Sequence, residues 1–264
     1  MAHNPALPDL MRAAQTACLS ETANDNEDHA LQHLHEDLLD HVVRSDLGIM
    51  VNHRYLHALL PGNLTREYIA LTNAHFEFMR DRAEAAAAAG DLSGYIFGHE
   101  RPYRLEALSE AARGGLDMFP EEYWPLVAEV WRDSNNIFQD YDAWRELWTA
   151  DVPKREFAMS ADERGTFAAL PESVEVWRGI RCENGMHGMS WTLCRDYGIW
   201  FAQRSGARRE RPMLIRGMVM KADILAAFDG VEQEIVALPE SVSIIGKECL
   251  RNEPRMTRPD LLAA

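Results

Sequence analysis

The sequence predicts an α+β fold, a helical N-terminal region followed by a strand-rich C-terminal one, in 264 residues. Three observations carry this. Apolar residues recur at helix-face spacing from about His29 to Trp148, and after residue 170 the period changes to short alternating runs. The helices and strands also come in blocks rather than in alternation, which separates this chain from a doubly wound sheet. A hydrophobic share of 47% supplies core for one large domain or two modest ones.

Residues 1–28, with the polar run Asn24-Asp25-Asn26-Glu27-Asp28, read as a flexible arm. Residues 29–155 read as a helical domain of unassigned role. Its clearest helix opens at Asn63 or Thr65, either a capping residue, and closes at Gly90. Tyr68, Leu71, His75, Phe78 and Met79 would form its apolar face, and Ala85 to Ala89 favour helix. The stripes Trp124, Val127, Trp131 and Trp144, Leu147, Trp148 read as packing. A junction near residues 150–160 opens a second domain, 156–264. There a helix is expected over 162–170, with strands over 174–178, 188–192, 213–220, 232–238 and 242–245. A helix over 196–204 and a helical turn over 222–228 lie between them.

Composition excludes several functions. No apolar run approaches the ~20 residues of a membrane span, and the opening residues lack the basic-then-apolar pattern of a secretory signal. Cys18, Cys182, Cys194 and Cys249 are scattered, with no C-x-x-C pair, so a reducing cytoplasm is expected. The net charge of −15 is uneven: residues 1–150 carry 11 Lys/Arg against 25 Asp/Glu, and 151–264 carry 16 against 17. That acidity argues against nucleic acid, which needs a basic stripe. It would suit a basic protein surface, although a solvated helical face explains it more simply. His29 and His33 stand at zinc-gripping spacing, but without H-E-x-x-H or a cysteine pair they read as solvated. Neither a phosphate-binding G-x-x-x-x-G-K-[ST] nor a G-x-G-x-x-G turn occurs.

The chemistry-bearing residues lie on the expected strands. Arg178 shares parity with Val174 and Val176, so its guanidinium points inward and needs an anionic partner. Ser190 and Thr192 share a face, with Trp191 packed behind. Glu232 and Glu234 would project from one face of the last-but-one strand, about 7 Å apart. Paired carboxylates suit the stabilisation of a developing cation beside a polar acceptor.

In that order, Val176-Trp177-Arg178-Gly179, Ser190-Trp191-Thr192 and Glu232-Gln233-Glu234 resemble the R-S-E pattern of mono-ADP-ribosyltransferases. The likeness is closest to the compact bacterial and bacteriophage-type members and the arginine-modifying toxins, and covers about residues 170–250. It implies a C-terminal split β-sandwich, NAD+ as substrate and no metal. It also implies that Glu234 stabilises the charge left as nicotinamide departs, while Glu232 orients or deprotonates a protein acceptor, arginine by the family's pattern. The implied NAD-binding set is Arg178 on the phosphates, with Gly179, Ser190, Trp191, Thr192 and Phe201. The resemblance also implies that Phe228-Asp229-Gly230-Val231 forms the turn presenting the acceptor, with Gly230 supplying backbone freedom. Two other readings stay open: NAD glycohydrolysis, and a non-enzymatic interaction protein acting through its acidic helical half.

Overall fold

A computed structural model describes residues 27–62, 64–114, 118–134, 140–204, 212–250 and 256–259. The arm expected over 1–28 lies outside them except for its last two residues, and so do Cys18 and Asn63. The chain mixes helix and strand, and divides into two compact units between Ala111 and Ala112.

The first unit is not all helical. After the short helices α1 (Glu27–Leu31) and α2 (Glu36–Leu39) comes an antiparallel meander of β1 (Val42–Ser45), β2 (Gly48–His53) and β3 (Leu56–Leu59). Gly48, at φ 122°, takes a conformation that a side chain would strain where the first hairpin closes. Ile49 and Val51 point from β2 into a core with Leu38, Leu56, Leu64, Ile69 and Phe76. The long helix α3 (Arg66–Ala89) starts where expected, with the Thr65 hydroxyl accepting from the Tyr68 N–H at 3.2 Å. Gly90 ends it in the left-handed region. Its buried stripe is Ile69, Thr72, Phe76 and Ala83, one residue round from the expected face, which leaves Phe78 exposed. The helices α4 (Leu92–Phe97) and α5 (Arg104–Arg113) follow.

The second unit holds α6 (Pro120–Asp133), α7 (Tyr141–Trp148) and α8 (Ala161–Ala169), the last opened by a reciprocal Ser160–Glu163 capping box. Then come β4 (Ser173–Ile180), β5 (Ser190–Thr192), α9 (Arg195–Gln203), β6 (Met213–Met220), β7 (Ile224–Phe228), β8 (Glu234–Ala237) and β9 (Val242–Cys249). The strands form one sheet, ordered β7-β8-β5-β4-β6-β9, with every neighbouring pair antiparallel.

Two expectations are corrected here. The division falls well before 150–160, so α6 and α7 belong with the sheet. The physical reason is a set of buried indoles, Trp124, Trp131, Trp144 and Trp148, whose rings pack at 4.9 to 6.1 Å and reach Phe228 of β7 at 6.5 Å. The helical turn expected over 222–228 is a single 3-10 turn, Lys221–Asp223, followed by a fully buried strand. No helix among the described residues is long and apolar enough to cross a membrane.

Candidate active site

All eight residues singled out in the sequence border one cavity of about 380 Å³ within the second unit. They are Arg178, Gly179, Ser190, Trp191, Thr192, Phe201, Glu232 and Glu234. That volume lies within the range of small-molecule sites.

Strand alternation brings Arg178 to the cavity, after Val174 and Val176 are buried on the same parity. Its Nε donates to the Gly185 carbonyl at 2.8 Å and one terminal nitrogen donates to the Ser190 carbonyl. The guanidinium thereby ties the 182–188 connection to β5. Gly188 makes room for it, since a Cβ there would stand 1.9 Å from Nη2. Among the described residues no carboxylate pairs directly with Arg178: its donors go to neutral carbonyls, and Glu234 acts on it only through space. Burial lowers its pKa to about 10, against an opposing pull from Glu234, so it remains a cation at neutral pH.

Ser190 and Thr192 share a face as expected but do different work. The Ser190 hydroxyl donates to Oε1 of Glu234. Thr192, 3% exposed, donates to the Glu232 carbonyl at 2.5 Å and accepts from the Cys194 N–H at 3.0 Å. Its hydroxyl is committed to the backbone of the turn. Trp191 between them is 2% exposed, and its ring lies 3.4 Å from where a Cβ on Gly217 would sit. That is a core position on β6, so its indole packs behind the site.

Glu234 opens β8 opposite Thr192. Besides Ser190, its Oε1 accepts from the indole N–H of Trp131 on α6 at 3.1 Å. Desolvation raises its pKa to about 7, and the like charge of Glu232 adds to this, while Ser190, Trp131 and Arg178 pull downward. Its carboxyl therefore titrates near neutrality rather than in the usual carboxylate range.

Glu232 does not stand on the strand. Gln233 has φ 44°, in the left-handed region, which breaks the alternation assumed for the triplet and puts Glu232 in a turn. The Gln233 N–H donates to the Gly230 carbonyl at 2.8 Å and the Leu193 N–H to the Gln233 carbonyl at 3.0 Å. The unusual backbone conformation thus falls on Gln233 rather than Gly230. The Glu232 carboxylate still faces the cavity, and Arg258 approaches it to 3.7 Å. The Arg258 guanidinium also lies over the Trp200 ring, 5.4 Å from its centroid.

Gly179 and Phe201 have structural duties as well. A Cβ on Gly179 would fall 2.1 Å from the Gly198 carbonyl oxygen and 2.4 Å from the Ala202 nitrogen, so α9 lies directly on β4. That contact turns Phe201 toward the cavity, with Arg204 stacked 4.9 Å from its ring centroid.

Sequence reading missed the helical wall of the site. Trp131, Arg132 and Tyr141 come from α6 and α7; the last two line the cavity. Arg132 holds both oxygens of buried Glu163, at 2.8 and 2.9 Å, and lies 4.1 Å over the Phe228 ring. The one signal for Trp131 was its membership of a buried stripe, where an indole N–H needs a partner. Among the described residues, no group of three His, Cys, Asp or Glu is disposed to hold a metal, and His29 and His33 meet only ring to ring at 5.6 Å. Compared with family models, curated proteins and solved structures, the chain matches none.

Proposed function

We propose that the second unit is a mono-ADP-ribosyltransferase of the R-S-E class, moving ADP-ribose from NAD+ to a protein side chain, arginine foremost, with release of nicotinamide. The observation that carries this reading is the Ser190–Glu234 hydrogen bond in a cavity shared with the unpaired cation of Arg178. The sheet supports it too. β4 and β5 share a single register pair, Trp177 with Thr192, which divides β7-β8-β5 from β4-β6-β9 and fits a split β-sandwich opening at the cavity.

The donor set fits the dinucleotide. Arg178 offers a buried positive charge to a pyrophosphate, Phe201 an aromatic face, and Glu234 a carboxylate oxygen, Oε2, to which no described residue donates. In the reaction the ribose–nicotinamide bond breaks with its electron pair going to nicotinamide, which leaves neutral. Positive charge grows on the ribose, and a fixed carboxylate stabilises it more than it stabilises the ground state. A guanidinium nitrogen then bonds to the same carbon and gives up a proton, which the Glu232 carboxylate at the cavity accepts. The Arg258 contact supports a guanidinium acceptor: Glu232 already lies 3.7 Å from a guanidinium that is also set over the Trp200 ring.

Incubation with labelled NAD+ and cell lysate, followed by peptide mapping, tests the acceptor. Label is expected on arginine, and Glu232→Gln is expected to keep nicotinamide release while losing that label. Label confined to other residue types contradicts the arginine assignment, and label-free turnover makes water the acceptor.

A further inference from the structure

The carboxylate at the centre of the cavity is held from two directions, and only one of them belongs to the sheet. Ser190 reaches Glu234 from β5, the neighbouring strand. Trp131 reaches it from α6, more than a hundred residues earlier in the chain, and both donors converge on Oε1. An indole N–H on a surface helix would swing with its side chain. This one cannot, because the Trp131 ring is 1% exposed and meets Trp144 edge-on at 4.9 Å and Trp148 at 5.6 Å. The next residue, Arg132, fixes the end of α6 through Glu163 and Phe228. Two other buried indoles of the same core make no such contact. Trp124 donates to the Pro153 carbonyl at 2.8 Å, and the Trp148 N–H has no partner among the described residues.

We propose that Trp131 is a positioning residue for Glu234, its indole N–H holding Oε1 so that Oε2 is the oxygen presented to the ligand. The inference rests on the transferase reading for its kinetic consequence, but the contact itself does not. A donor on one carboxylate oxygen fixes the rotation of the group and favours its ionised form. The charged groups around Glu234 are Arg178 on β4 and Glu232 in the preceding turn, with Arg132 on α6 and Arg181 and Arg204 further round the wall. Of the contacts that pull its pKa down, only Trp131 comes from outside the sheet.

The test is Trp131→Phe, which keeps a ring in the packed core and deletes the N–H. Trp124→Phe serves as the control for an indole lost from the same core. Two readouts are taken on the full chain: the pH dependence of nicotinamide release, and the carbon-13 titration of the Glu234 carboxyl, assigned by its loss in Glu234→Gln. Trp131→Phe is expected to lower kcat about tenfold with little change in KM, the scale of one hydrogen bond to a charged group. It should also move the ascending pH limb and the carboxyl titration upward by about one unit. Trp124→Phe should lower stability and leave both midpoints in place. A folded Trp131→Phe with the wild-type titration midpoint overturns the proposal. If the midpoint moves but the wild-type chain releases no nicotinamide, the contact stands and the transferase reading falls.

Discussion

Glu234 is the residue on which the chemistry turns, and its protonation gives the account a sign that can be checked. Its carboxyl ionises near 4.5 in an unfolded chain and near 7 in the fold. The raised value means that the fold favours the protonated form. The stability this contributes is complete below pH 4.5 and is lost as pH rises to about 7. Above that, the fold carries a desolvated anion. Glu234→Gln is therefore expected to be more stable than the parent at pH 8, by on the order of 2–3 kcal/mol, and no more stable at pH 4, as read by denaturant titration at both pH values. The sequence identified the residue through motif order, since the strand parity assumed for the triplet breaks at Gln233. It gave no hint of the proton, because the desolvation comes from α6 and the tryptophan core that close over the strand.

At the scale of elements, two glycines flanking Arg178 show how the same residue type serves different ends. A Cβ on Gly179 would strike the backbone of α9, which has nowhere to move. A Cβ on Gly188 would meet only the far end of the Arg178 side chain. Gly179→Ala should cost about 1–3 kcal/mol of stability, in line with overpacking a tight contact. Gly188→Ala should leave the melting temperature close to wild type and raise KM for NAD+, since the cation is displaced. Thermal melts alongside steady-state kinetics separate the two. In the second unit β4 was legible because its apolar residues alternate, as in Val174 and Val176 ahead of Arg178, whereas β7, buried along its whole length, carries no alternation and read as a helical turn. The meander of β1 to β3 was not legible either, because these strands are four to six residues long and carry apolar residues on both faces. The Glu232 turn escaped for a different reason: nothing in its residue type marks Gln233 for a left-handed conformation.

For the whole molecule, the division between Ala111 and Ala112 changes how function maps onto the chain. The acidic surplus that seemed to mark one half is shared: residues 1–111 carry 8 Lys/Arg against 17 Asp/Glu, and 112–264 carry 19 against 25. Every residue lining the cavity lies after residue 111. A chain starting at residue 112 should retain nicotinamide release, whereas one starting at residue 156 should lose it together with Trp131, Arg132 and the tryptophan core. Activity in the shorter fragment would return α6 and α7 to a separate domain. The central claim, that Glu234 stabilises charge on a departing nicotinamide's ribose, meets its most direct test in the purified chain supplied with NAD+ alone or with an arginine-rich protein. Nicotinamide release should occur, rise with pH through about 7, and fall by about 10²–10³ in Glu234→Ala, the scale of removing one preorganised electrostatic group. No release from the wild-type chain, or release unchanged in Glu234→Ala, would contradict it.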